Sequence, residues 1–254
     1  MNGKITRHSY QGAIQIFQYN WTFYAAALLL SVTGIVLLRT MDLAMWLRVG
    51  LIAAILVTVF WGIASLAVSH YVYDRSPLYQ FEWLRELLAP SPSVCVNIHA
   101  GLDETSRLLM QLYLHSHWQI LDIYEPTQMT EPAIKRARSL ALAALPAISA
   151  DFRELPLAEQ SCDVVFVIFT AHELRAEASR LLFFAELHRV LRPQGKVILV
   201  EHLRDWPNFL AFGPGAWHFL AHSVWLHTTQ ATNFAVMREL KLTPFVSAFC
   251  LGKQ

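Results

Sequence analysis

Two short segments hold the groups best suited to moving a proton: Phe169-Thr170-Ala171-His172-Glu173-Leu174-Arg175 and Glu201-His202-Leu203-Arg204-Asp205. Each sets a histidine beside a carboxylate, His172 with Glu173 and His202 with Glu201. An imidazole titrates near pH ~6.5, so it exchanges protons under ordinary conditions, and a neighbouring carboxylate can orient it. His172, His202, Glu173 and Glu201 are therefore the candidate catalytic residues. Each histidine also has a structural reading. Two imidazoles and two carboxylates have the donor types of a metal site, but the spacing does not demand one and no metal is assigned.

A third segment, Val96-Asn97-Ile98-His99-Ala100-Gly101-Leu102-Asp103-Glu104-Thr105, ends an apolar run in a turn with one glycine. A small residue there lets backbone N–H groups approach a bound group and opens a helix N-terminus.

These segments need elements to hold them. Short apolar runs at Val94–Ile98, Gln119–Ile123, Ala147–Ala150, Val164–Phe169 and Lys196–Val200 alternate with stretches of helical spacing at Glu104–His115, Glu131–Leu145 and Ala176–Leu191. That order predicts a parallel sheet with helices on both faces, and unbroken strand hydrophobicity agrees with burial from both sides. Right-handed crossovers place the strand C-termini along one edge, where such sheets bind ligands. Val236–Thr243 and Phe245–Leu251, broken around Pro244, predict an antiparallel hairpin closing the sheet.

Several stations on this alternation resemble the class I S-adenosylmethionine (SAM)-dependent methyltransferases. Glu186-Leu187-His188-Arg189-Val190-Leu191-Arg192-Pro193-Gln194-Gly195-Lys196-Val197-Ile198-Leu199-Val200 is similar to the family's helix, turn and fifth strand, with Pro-Gln-Gly where Pro-Gly-Gly is usual. Asp151-Phe152-Arg153-Glu154-Leu155-Pro156-Leu157 followed by Cys162-Asp163-Val164-Val165-Phe166 is similar to its acidic loop and fourth strand. The glycine-rich turn keeps Gly101 but has Asn97 at the usual acid, His99 at the first glycine and Asp103 at the third. The resemblance covers Val94 to Leu251 and implies SAM as cofactor.

It implies roles as well. His99, Gly101, Asp103 and Glu104 would line the amino-acid end of SAM. Asp122 would accept hydrogen bonds from the ribose hydroxyls, with Glu125 as backup, and Asp151 with the backbone of Phe152 would meet the adenine amine. The aromatic segment Trp206 to Trp225 stands where the family often builds its acceptor pocket, although membrane contact or core packing would also account for it.

The front of the chain differs from the rest. Trp21 to Leu38 holds eighteen uncharged residues and Val49 to Ser69 twenty-one, close to the ~20 that cross a bilayer. Mean hydropathy is +0.36 with 15% charged residues, against roughly 25% in soluble domains. Lys4, Arg7, Arg75 and Arg85 outweigh the loop's Arg39 and Arg48, which places the termini and the following domain in the cytoplasm. A formal net charge of +1 carries no signature of nucleic-acid binding, and three scattered cysteines form no disulfide or zinc framework.

The organisation that follows is an N-terminal segment (1–20), two transmembrane helices (21–38 and 49–69), a linker helix near the membrane (70–93) with its Tyr and Trp residues on the headgroup layer or surface, and a Rossmann-like α/β domain (94–254). That domain has a mostly parallel sheet and a C-terminal antiparallel hairpin. The expected function is methyl transfer to a lipophilic small molecule or lipid, with the bilayer as partner. A non-catalytic scaffold that kept the fold, or an enzyme acting on a small soluble thiol or amine, remain open at this point.

Overall fold

The computed structural model describes residues 8–140 and 145–254. The chain begins with helices α1 (Gln11–Thr40) and α2 (Met45–His70), of 30 and 26 residues. They run antiparallel, with the Tyr24 hydroxyl 3.1 Å from that of Ser65 and Gly34 against Ile55. Both are long and apolar enough to cross a membrane by length and composition. Leu28, Leu30, Leu56 and Ile63 remain exposed along them. Each helix extends past the apolar stretch predicted for it. Lys4 and Arg7, used in the orientation argument, lie outside the described residues.

The sheet has seven strands: β1 (Val94–His99), β2 (His117–Asp122), β3 (Ile148–Ser149), β4 (Cys162–Ile168), β5 (Leu191–His202), β6 (Phe234–Thr243) and β7 (Val246–Lys253). Their order is β3-β2-β1-β4-β5-β7-β6. The first five are parallel, and β7 lies antiparallel between β5 and β6. Helices α4 (Ser106–Leu112), α5 (Pro132–Ser139), α6 (Glu177–Val190), α7 (Trp206–Phe212) and α8 (His222–Ala231) complete the domain. Two buried clusters flank the sheet. One holds Ile134, Phe183, Phe184, Leu187 and Trp225 on the side of α5, α6 and α8; the other holds Leu109 of α4 and residues of the lead-in.

The predicted helix over 104–115 is shortened because Asp103 Oδ1 accepts from the N–H groups of Thr105 and Ser106, which starts the helix at Ser106. The part of the predicted 131–145 helix at 141–144 lies outside the described residues. In the Pro193-Gln194-Gly195 turn a Cβ on Gly195 would stand 2.7 Å from Leu191 Cγ and 3.0 Å from the Asp163 carbonyl oxygen, so only glycine fits.

The lead-in corrects the expectation of one helix beside the membrane. It forms a π turn (Tyr71–Arg75), a 3-10 turn (Leu78–Gln80) and the short α3 (Leu84–Leu87), and Phe81 sits at φ +56° between the last two. The periodic residues Leu78, Phe81, Leu84 and Leu88 are all buried against the sheet. Tyr73, Tyr79 and Trp83 pack on the same cluster rather than facing a headgroup layer.

Candidate cofactor and acceptor site

Parallel register sets His99 opposite Asp122 and Ile168 opposite Val200. The groups singled out in the sequence therefore gather along one sheet edge. They divide into the residues expected to meet a cofactor, at β1, β2 and β3 (the cofactor side), and those expected to meet an acceptor, at β4 and β5 (the acceptor side).

On the cofactor side, Asn97 is buried and its amide donates to Thr105 Oγ1 (3.0 Å) and Ser106 Oγ (2.7 Å), which ties the turn to the head of α4. Asp103 is turned into this same loop, so the contact with SAM expected of it is replaced by capping. Glu104 accepts from the Tyr79 hydroxyl at 3.3 Å. Gly101 has space beside it, since a Cβ there would meet only Ile134 Cγ1, at an ordinary 3.5 Å. His99 is buried with neither ring nitrogen bonded among the described residues. Burying two polar nitrogens without partners costs free energy that a bound polar group would recover. The open space at Gly101 and the unsatisfied His99 fit a ligand such as SAM at the end of β1.

Asp122 ends β2 as expected, but its acceptors are engaged. Arg138 of α5 donates to both carboxylate oxygens at 3.0 and 2.8 Å and to the Ala100 carbonyl at 2.8 Å, while stacking over Tyr124. Ribose hydroxyls binding here would exchange with Arg138. Asp151 is exposed and paired with Arg153 at 2.9 Å, and the Phe152 side chain lies in the core, which leaves the backbone of Phe152 as its contribution to an adenine site.

On the acceptor side, the 3-10 turn Ala171–Glu173 after β4 carries His172 and Glu173. His172 Nδ1 lies 2.7 Å from Glu201 Oε2, its backbone N–H donates to Glu201 Oε1 at 3.2 Å, and its Nε2 is 3.5 Å from Glu173 Oε1. Burial by itself would lower the imidazole's pKa, but the two carboxylates outweigh it and push His172 up to about 10. Burial likewise opposes ionisation of Glu173, and the pairing with His172 overcomes it, so that carboxyl titrates below its ordinary range. At neutral pH His172 is an imidazolium between two carboxylates and not a ready base.

His202 is placed differently. Its Nδ1 donates to the Phe245 carbonyl at 2.9 Å and its Nε2 accepts from the Tyr73 hydroxyl at 2.8 Å. Its ring stacks between Phe169 and Phe219, with centroids at 5.1 and 4.8 Å. Burial pushes it down to about 4, so it is neutral and both nitrogens are occupied.

The aromatic segment proves to have three destinations. Phe209 of α7 meets Trp61 of α2 edge-on at 5.9 Å, Phe219 stacks on His202, and Trp225 enters the core. His218 closes the 3-10 turn Gly213–His218 with its ring 5.0 Å from that of His172, and burial lowers it to about 4. Sequence reasoning did not assign Tyr73 or Arg138 to the site, and reached His218 only as a member of the aromatic segment Trp206 to Trp225. His218 lies 46 positions from His172 and Tyr73 lies 129 from His202, so no local spacing links them. Arg138 stood out only as part of the basic run Lys135, Arg136 and Arg138.

A family of methyltransferase domains matches residues 100–199. No curated protein sequence matches the chain. Among solved structures, a SAM-dependent methyltransferase from Aquifex aeolicus has a TM-score of 0.51 at 18% identity, with 70% of this chain and 93% of that one covered. A protein from Pyrococcus horikoshii OT3 has 0.52 at 18%, covering 72% and 95%. Human N-acetylserotonin methyltransferase in complex with SAM has 0.51 at 14%, covering 76% and 55%. At these identities the likeness is one of fold.

Proposed function

We propose, from the match of residues 100–199 to a family of methyltransferase domains, that the chain is a membrane-held class I enzyme transferring the methyl group of SAM to a lipophilic acceptor. SAM supplies a methyl group on a sulfonium, which an acceptor nucleophile attacks in line. The work left to the chain is to hold the cofactor, present the acceptor and manage its proton.

His99 and the backbone around Gly101 are assigned to the amino-acid end of the cofactor. Asp122 takes the ribose, where a carboxylate offers acceptors to two adjacent hydroxyls once Arg138 releases it. The backbone of Phe152 and the carboxylate of Asp151 take the adenine. Tyr73 and the buried His202 form a brace beneath the acceptor side, and Glu201 orients His172. His172 is already protonated and His202 is sealed, so removal of the acceptor's proton does not run through either of these two histidines.

One observation carries the acceptor class. Gly213, at φ +54°, packs so closely on Trp61 of α2 that a Cβ would lie 2.5 Å from the indole, and the same turn presents His218 to His172 five residues later. The wall of the acceptor side is thus continuous with the apolar hairpin. Trp206, Leu210 and Trp217 beside it are exposed. An acceptor dissolved in a bilayer would be held at high local concentration beside such a cleft. The domain is assigned to the cytoplasmic side by the loop charges.

Titration calorimetry of the full-length protein in detergent with S-adenosylhomocysteine tests the reading. One-to-one binding is expected, weakened by about tenfold or more in Asp122→Ala, as befits losing hydrogen bonds to a charged acceptor. Absence of binding to the native protein would overturn it.

A further inference from the structure

We infer that His172, Glu173 and His218 form a binding site for one divalent transition-metal ion on the acceptor side of the cleft, with Glu201 as its outer carboxylate. The inference rests on the methyltransferase reading for its chemical use but not for its geometry. One ligand atom from each of the three residues lies within 4.8 Å of the others. Bonds of about 2.0–2.2 Å to a common ion set neighbouring ligands roughly 3.3–3.6 Å apart. His172 Nε2 and Glu173 Oε1, at 3.5 Å, already meet that spacing, and His218 closes the remainder by a shift on the order of an ångström. The rings of His172 and His218 meet edge-on at 81°, so they are not spent on stacking.

Two further observations point to a cation. Glu173 is nine-tenths buried, and its Oε2 has no hydrogen-bond partner among the described residues. A carboxylate oxygen left bare in this way is costly, and a metal is the partner that satisfies it without a proton. Glu201, almost wholly buried, holds His172 by Nδ1. This is the carboxylate–histidine arrangement that fixes a metal-bound imidazole with Nε2 toward the ion, which on binding would displace the proton that Nε2 otherwise carries. Glu131 adds a third carboxylate 3.7 Å from His218 Nδ1. The nearby cation, Arg175, spends donors on the carbonyls of His172 and His218 and so ties the two ligand-bearing turns together.

Two imidazoles and one carboxylate leave coordination positions open, as in catalytic rather than structural sites. An ion there would acidify an acceptor hydroxyl or thiol, which supplies the step that the sealed His202 cannot. The acceptor O–H or S–H would give its proton to water, its heteroatom would bond the methyl carbon, and the S–CH3 bond would break to leave a neutral thioether.

The test uses full-length protein in detergent, stripped with chelator and titrated with Zn2+, and in parallel with Co2+ followed by its visible absorption. One saturable site per chain is expected, with Co2+ bands of four- or five-coordinate intensity. His218→Ala and Glu173→Gln should each weaken Zn2+ by well over tenfold, Glu201→Gln by about 10–100-fold, and His227→Ala on the surface should change nothing. Melting curves of each variant separate loss of a ligand from loss of the fold. No saturable binding, or binding indifferent to both ligand variants in their folded state, overturns the inference. S-adenosylhomocysteine is titrated in the same samples: if it binds while Zn2+ does not, only the metal site falls, and if Zn2+ binds alone, the metal site stands and the methyltransferase reading falls.

Discussion

At the scale of single residues, the two histidines that look alike in the sequence have opposite electrostatic fates. His172 sits between carboxylates and is raised to about 10, whereas His202, buried among a phenol, an amide and a carbonyl with no carboxylate bonded to it, is lowered to about 4. Adjacent acids in the sequence do not decide this, because Glu201 follows the strand's alternation to His172 rather than to its neighbour. A consequence follows for pH. The folded pKa of His202 lies below the unfolded ~6.5, so between about pH 4 and 6.5 the unfolded chain binds the extra proton and stability falls as pH falls, by on the order of 3 kcal/mol in all. In His202→Asn this acid loss should shrink, as read by denaturant melts at pH 7 and 5. Removing the phenol in Tyr73→Phe leaves Nε2 buried and unpaired and should cost about 1–3 kcal/mol. On the cofactor side, Arg138→Ala frees both oxygens of Asp122 and should tighten S-adenosylhomocysteine binding; weaker binding would show that Arg138 supports the site instead of competing for it.

At the scale of elements, much of the sheet is legible because buried parallel strands are continuous apolar runs. Val94–His99 and Cys162–Ile168 fall within a few residues of the expected bounds. The Pro193-Gln194-Gly195 turn is legible for a steric reason, since Gly195 approaches the Asp163 carbonyl. The lead-in is the opposite case. Leu78, Phe81, Leu84 and Leu88 have helical spacing, yet the left-handed residue at Phe81 breaks the helix and the sheet, not the bilayer, receives the side chains. Periodicity reports that a face is apolar but not what it meets. Phe81 is fully buried, so Phe81→Ala should cost about 3–5 kcal/mol by leaving a cavity. A surface residue on a headgroup layer would cost far less, and detergent-phase melts distinguish the two. The candidate site was legible in its strand-end members and, as a segment only, in the aromatic stretch that carries His218, whereas Tyr73 and Arg138 arrive from elements distant in sequence.

At the scale of the molecule, the hairpin is joined to the domain more closely than a tether requires. Asp74, after α2, accepts from the backbone N–H groups of Gly12 and Ala13 at the head of α1, at 2.7 and 3.3 Å. A Cβ on Gly12 would lie 2.3 Å from Tyr73 Cβ. Arg136 of α5 donates to the Tyr19 carbonyl and the Thr22 hydroxyl of α1, two positions before the arginine that holds Asp122. Besides being long and apolar enough to cross a membrane, α1 and α2 therefore pack as a wall of the domain. Deleting residues 1–69 should then lower stability and activity, since the cut uncovers Val72, Tyr73 and Asp74; an isolated domain of unchanged melting temperature and specific activity would return the hairpin to a tether. Gly213→Ala, strained at φ +54° and pressed on Trp61, should loosen α7 from α2 and lower the melting temperature of the whole chain.

We propose methyl transfer from SAM to a lipophilic acceptor at this edge. Incubating the purified protein with methyl-labelled SAM and membrane extract, then partitioning the products between organic solvent and water, measures it directly. Label is predicted in the organic phase with native protein and not with Asp122→Ala. Label confined to water-soluble product, or organic label that persists in Asp122→Ala, would contradict the account.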